Sequence, residues 1–288
     1  MLNAYLGLFL GVAAMAAFGL QDFLMAKSSK AIGIFKTSLG FNFVSLILLL
    51  ILSIFLFGYN GMSLLTFAIL IFTAFLATSS ILTFTRGLEI GNVSVVATIA
   101  SAWGAITAIL SVIFFGEVIS HLQILYVILI VVGTVLTSLD IRSVLRSKKS
   151  RFVMAGTEYA ILTLFIWGLF FFLLSYLTTK LNWFVVSLFI TILTTVLLAI
   201  YCTSAKIKAI PEKRSVPLII LIGIIATISI ISYNLGVTYG YTAIVAPVSS
   251  ASPIITVSLA LVILKEKLQL DQKIGIILVI AGIILLTT

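Results

Sequence analysis

The 288-residue sequence predicts an all-α integral membrane protein, with ten transmembrane helices arranged as two inverted five-helix repeats. Three observations predict it. The chain is 62% hydrophobic and 9% charged, with a mean hydropathy of +1.35, whereas soluble domains are about 25% charged. Apolar runs recur along its whole length, each long enough to cross a hydrocarbon core of about 30 Å as a helix. The second half repeats the first at an offset of 149 positions. A bilayer admits only helices and closed barrels, and the runs are continuous rather than alternating, which selects helices.

The breaks between runs place the helices in order. The first is expected over Ala4–Ala26, the second over Ile32–Phe57 and the third over Met62–Thr85. The fourth covers Val93–Phe115 and the fifth Leu122–Leu139. A basic segment, Arg142 to Arg151, separates them from the sixth, Phe152–Thr178. Then come the seventh over Trp183–Tyr201, the eighth over Val216–Tyr239, the ninth over Ala243–Leu264 and the tenth over Lys273–Leu286. The organisation expected is a first repeat over residues 1–140, a connection over 141–151 and a second repeat over 152–288. The N-terminal run has no positive leader and is too long for the apolar part of a signal peptide, so it is taken as the first membrane helix.

The repeat rests on residues other than Ile, Leu and Val, whose matches are cheap in such a composition. Gly19 falls on Gly168, Gly87 on Gly236, Gly91 on Gly240, Ser101 on Ser250, Thr107 on Thr256, Glu117 on Glu266 and Gly133 on Gly282. One register therefore holds across several helices. With five helices per copy, the second copy enters the membrane from the opposite side, which is a transporter architecture.

Net charge is +9, but the basic residues sit between apolar runs, where they report orientation rather than nucleic-acid binding. The connections after odd-numbered helices hold sixteen of the seventeen Lys and Arg; the other side holds Lys180. This bias puts the basic loops in the cytoplasm and both termini outside, in the plasma membrane. A single cysteine, Cys202, excludes an internal disulfide and a multi-cysteine metal site. The one histidine, His121, reads as a solvated residue in a connection.

The first repeat contains FGLQDFLMAK and the second WGLFFFLLSY at the equivalent place; the second also contains GYTAIVAPVSSASPIITVSLALVILKEKL, matched in the first by GNVSVVATIASAWGAITAILSVIFFGEVI. In these segments and in its paired five-helix halves, the chain resembles the EamA-type members of the drug/metabolite transporter superfamily. The resemblance covers essentially the whole chain. Two departures stand out: Asp22 occupies a position where the family often has Asn, and Thr98 stands where the second copy has Pro247. Family members are usually drawn with cytoplasmic termini, opposite to the charge count. The resemblance implies a carrier for small metabolites such as amino acids, often an exporter. It also implies a central cavity between the repeats that opens alternately to each side, and peripheral fifth and tenth helices.

Asp22 leads the candidate residues. It lies about 6 Å from the expected end of the first helix, on a stripe with Phe18, Met15 and Gly11. An intramembrane carboxylate costs a few kcal/mol by insertion scales and is a functional candidate by default. Proton coupling or binding of a substrate amine is one reading; an interfacial pair with Lys27 or Lys30 is the other. Glu158 is the second carboxylate candidate, against a pair with Arg151. Arg86 and Glu89 read as an interfacial pair.

Pro247 and Pro253 should kink the ninth helix and free carbonyls, with Ser249, Ser250 and Ser252 on hand to satisfy them. Cavity lining and plain kinking with close helix packing are the two readings. The matching stretch, Thr98, Ser101, Trp103 and Gly104, has hydroxyls but no proline, so the two gates are expected to differ in flexibility. Asn42, Trp167, Tyr176, Tyr233 and Asn234 complete the inward candidates. Ser229, Ser232, Gly236 and Gly240 form a small-residue stripe beside Tyr233, and Lys265-Glu266-Lys267 reads as a cytoplasmic helix end.

No metalloprotease HExxH, nucleophile elbow or phosphate loop occurs in the sequence, which argues against an enzyme or an ATP-driven pump. The expected function is gradient-driven transport of small metabolites, with amino acids first and hydrophobic cationic drugs as the alternative. The expected partners are a small-molecule substrate, protons and the lipid bilayer. No nucleic acid, cofactor or metal is expected, and the chain would act as a monomer or homodimer.

Overall fold

The computed structural model describes residues 2–56, 58, 61–90, 96, 99–138, 156–264 and 270–287. The basic segment Arg142–Arg151, Thr98 and Lys265-Glu266-Lys267 fall outside the described residues. Eleven helices are labelled here in chain order: α1 Leu2–Ile32, α2 Ile34–Leu56, α3 Leu64–Ile90, α4 Trp103–Phe115, α5 His121–Ser138, α6 Thr157–Lys180, α7 Trp183–Ser204, α8 Val216–Tyr239, α9 Thr242–Ser250, α10 Pro253–Leu264 and α11 Leu270–Leu285. Among the described residues there is no strand, and seven apolar helical spans are long enough to cross a membrane. The chain is thus a multi-pass membrane protein.

Local chemistry sets several ends. Asn182 caps α7, its side chain accepting from Phe184 N at 2.8 Å. Pro217 sits at the start of α8, where its missing N–H costs nothing. Hydroxyls within the helices fold back on the carbonyl one turn earlier, as Thr73 does on Ile69 O and Thr191 on Ser187 O. Large apolar side chains such as Phe9, Ile54, Phe55, Ile113 and Ile277 are exposed. That is a liability in water and the expected state against lipid.

The expected boundaries need two corrections. Helix one continues to Ile32, so Asp22 lies ten residues from its end, or about 15 Å, rather than near it. The ninth expected helix is two helices, α9 and α10, with Pro253 as the first residue of the second.

Packing pairs the two copies reciprocally. The first expected helix (α1) packs on the eighth (α8) and the third (α3) on the sixth (α6). In the same way, α2 meets α8 while α7 meets α3; α4 meets α6 while α9 and α10 meet α1; and α4 crosses α9, α2 lies along α7 and α5 along α11. Small residues permit the closest contacts. A Cβ on Gly7 would lie 2.6 Å from the Gly240 Cα and 3.1 Å from Gly236 O; one on Gly87 would lie 3.4 Å from Gly156 O. A Cβ on Gly236 would likewise lie 3.4 Å from Gly7 O, the image of the Gly87–Gly156 contact at the 149-position offset.

The helix breaks correspond as well. The fourth helix is interrupted at Ala102 (φ −78°, ψ 10°) and the ninth at Ala251 (φ −74°, ψ 14°). Ala102 N donates to Ile99 O and Ala105 N to Ala102 O; Ala251 N donates to Val248 O and Ile254 N to Ala251 O. All four bonds tighten to three-residue spacing at equivalent positions. Both copies therefore break, although one has no proline. Gly104, just past the first break, packs so closely on α9 that a Cβ would overlap Ser250 and lie 2.8 Å from Ala246 O.

Candidate functional site

Around the crossing of α4 and α9, each copy makes one inter-repeat contact set. In one set, Thr256 Oγ1 donates to Gly19 O at 2.9 Å, and a Cβ on Gly19 would lie 2.5 Å from Ser252 O. In the other, Thr107 Oγ1 donates to Gly168 O at 2.9 Å, and a Cβ on Gly168 would lie 2.5 Å from Ile106. Both threonines and both glycines are equivalent at the 149-position offset. Each hydroxyl thus holds a small-residue face of the partner copy's first helix against a broken helix.

One turn away the two sets differ in chemistry. Ser252 Oγ donates to Asp22 Oδ2 at 3.4 Å, and Asp22 is exposed. The positions equivalent to Ser252 and Asp22 are Trp103 and Phe171, which stack with centroids 3.8 Å apart and planes at 15°. Phe171 is a hub: Phe170 lies 4.8 Å away edge-on, Tyr233 4.9 Å and Phe18 5.9 Å. Tyr233 is fully buried, its hydroxyl 3.1 Å from Ser175 Oγ. The same scaffold position therefore carries an exposed carboxylate in one copy and a buried aromatic ring in the other.

The remaining candidates are dispersed. Asn234 is fully buried and donates to Ser187 Oγ at 2.8 Å, its carbonyl oxygen without a hydrogen-bond partner among the described residues. Pro247 and Ser250 are buried in the α4–α9 crossing, where Ser250 Oγ donates to Pro247 O; Ser101 is buried there too, and Pro253 is half-buried at the head of α10. Ser249 Oγ donates to Gly11 O at 3.3 Å, a tie from α9 to α1 that adds to the one from Thr256 on α10. Trp167 is half-buried against Phe84 at 5.1 Å. Tyr176 carries Lys180 Nζ 5.6 Å from its ring centre and lies 6.3 Å from Phe115. Asn42 donates to Ser38 O on its own helix. Glu158 is exposed in the first turn of α6, where its charge complements the helix dipole. Asp22, Phe18, Trp103 and Tyr233 thus share one locality, while Asn42 and Glu158 have no described contact with it.

Glu117 was not among the sequence candidates. It follows α4, and its carboxylate accepts from Thr242 N at 2.8 Å and Ala243 N at 2.7 Å, the first residues of α9. Burial pushes its carboxyl above the ordinary carboxylate range, and the two N–H donors pull the other way. Its match to Glu266 in the repeat was the signal available, since an acid kept at one place in both copies needs a reason beyond hydropathy.

The sequence and the fold resemble those of known proteins. The family model described as the EamA-like transporter family matches the chain twice, over residues 5–139 and 154–288, at the same 149-position offset. An uncharacterized protein of Methanocaldococcus jannaschii is 36% identical over 106 residues, which are 37% of this chain and 74% of that protein. A solved crystal structure superposes with a TM-score of 0.82 at 16% identity, over 98% of each chain, a likeness of fold.

Proposed function

Because the chain belongs to the EamA-like transporter family, we propose that it is a gradient-driven carrier that moves small metabolites across the plasma membrane by alternating access, with Asp22 as the group that senses protons or a substrate's positive charge. The observation that carries this reading is the chemical split of one repeated contact. Asp22 is exposed beside a broken helix, and its counterpart Phe171 is buried in an aromatic plug. An accessible carboxylate next to a helix break between two repeats is the kind of place where carriers hold substrate and coupling ion. Amino acids and related ammonium compounds fit a site with one carboxylate, hydroxyls on Ser252 and Thr256, and the Phe18 ring nearby. Hydrophobic cations are the second reading, favoured by the Phe18 ring one turn from Asp22 through cation–π attraction. Phosphorylated substrates fit poorly, since the basic residues lie at helix ends and connections rather than at this site.

In this reading the two five-helix copies have opposite orientations in the bilayer. The basic connections face the cytoplasm and both termini lie outside, the arrangement that sixteen basic residues on one side favour. Export of an amino acid would then proceed from the side on which Asp22 is exposed.

The test is a thermal-stability screen of the purified protein against amino acids, hydrophobic cations, nucleosides and sugar phosphates at two pH values. A ligand that binds the folded state raises apparent stability with its excess over Kd. A shift with amino acids that disappears in Asp22→Asn supports the reading. Shifts with hydrophobic cations alone replace the substrate class, and shifts that persist unchanged in Asp22→Asn remove Asp22 from the site.

A further inference from the structure

We propose that Glu117 is a positioning residue, a lock that joins the repeats where α4 ends and α9 begins and holds that side of the molecule shut. The proposal rests on the carrier reading for its purpose and on geometry for its substance. Its two acceptor contacts span 125 and 126 residues, from the connection after α4 in one copy to the first turn of α9 in the other. Tyr241, at the N-cap of α9, makes no side-chain cap of its own. The free N–H groups of that turn are therefore satisfied by a carboxylate from the opposite repeat, and the helix dipole adds to the attraction. Thr242 and Ala243 are buried, so the contact also excludes water from the seam.

What lies beneath the contact gives it leverage. One turn further along α9 is Ala246, whose carbonyl packs on Gly104 at the crossing of the two broken helices, followed by the buried Pro247. Past the break is Ser252, beside the exposed Asp22. A bond from the α4–α5 connection to the head of α9 thus fixes the first half of the broken helix, while the second half begins beside the exposed Asp22. When one repeat moves against the other, this bond can persist in only one of the two arrangements, and so it biases the equilibrium between them. A static cap would leave that equilibrium untouched.

Site-directed labelling separates the two and needs no substrate. Cysteine is introduced at Ala246 or at Ser252 in the full-length protein carrying Cys202→Ser, reconstituted in lipid nanodiscs. Labelling by a membrane-impermeant maleimide is then timed with and without Glu117→Gln, which keeps the side-chain shape and removes the charge and one acceptor. The lock predicts a rise of about tenfold in the rate at Ala246→Cys with a fall at Ser252→Cys, since opening one side closes the other. Glu117→Ala should move both reporters in the same directions and further. Unchanged rates at both positions overturn the lock. So does a rise at both, the mark of loosened packing. Neither result bears on the carrier reading, which stands or falls with the ligand screen.

Discussion

Asp22 and Phe171 hold the same place in two copies of one contact, and their difference sets the residue-scale expectations. Carboxylate and hydroxyl face each other on one side; on the other, two rings stack at 3.8 Å. Replacing Asp22 by Asn keeps the shape and removes the titrating group, so ligand binding should lose its pH dependence; persistence of that dependence, read by thermal shift across pH, would assign it to another group. The flanking threonines allow a matched control. Thr107→Val and Thr256→Val each delete one inter-repeat hydrogen bond of 2.9 Å, and each should lower stability by about 1 kcal/mol in a denaturant titration. Similar losses are expected because the geometry is similar; a large disparity would mean that the two seams are not energetically equivalent.

At the scale of the element, both broken helices interrupt at equivalent alanines, and only one of them carries prolines. The break is therefore a property of how α4 and α9 cross. Pro253→Ala should keep the interruption at Ala251, observable as a retained bend between spin labels placed on α9 and α10; a straightened helix would return the cause to the proline. Gly104 makes the crossing possible, and Gly104→Ala should destabilise by about 1–3 kcal/mol, since the added methyl meets Ser250 and the Ala246 carbonyl. Helix existence was legible in the sequence because a membrane span announces itself through local length and hydropathy. The repeat register was legible through Gly19, Thr107 and their partners. The break at Ala102 was not, having no proline or glycine at its centre, and neither was the role of Glu117, which depends on backbone donors 125 residues away. Asp22 was visible as a lone carboxylate in an apolar run. Its counterpart Phe171 was not, because it looks like an ordinary apolar residue until the two copies are superimposed, although its stacking partner Trp103 was among the candidates.

For the whole molecule, reciprocal pairing of helices leaves a large apolar exterior and a seam of small residues, hydroxyls and rings between the copies. That arrangement suits a protein whose halves rock within lipid, since packing in a bilayer rests on close fit and inter-helix hydrogen bonds. The proposed orientation rests on the charge bias: reporter fusions at both termini should be active on the external side only, and cytoplasmic activity would reverse the proposed sidedness. The most direct measurement is solute accumulation in proteoliposomes under an imposed pH gradient, comparing the native chain with Asp22→Asn. The account expects gradient-driven accumulation of an amino acid or related amine by the native chain and its loss in the variant. Accumulation that is equal in both, or absent for every amine, amino acid and hydrophobic cation tested, would contradict it.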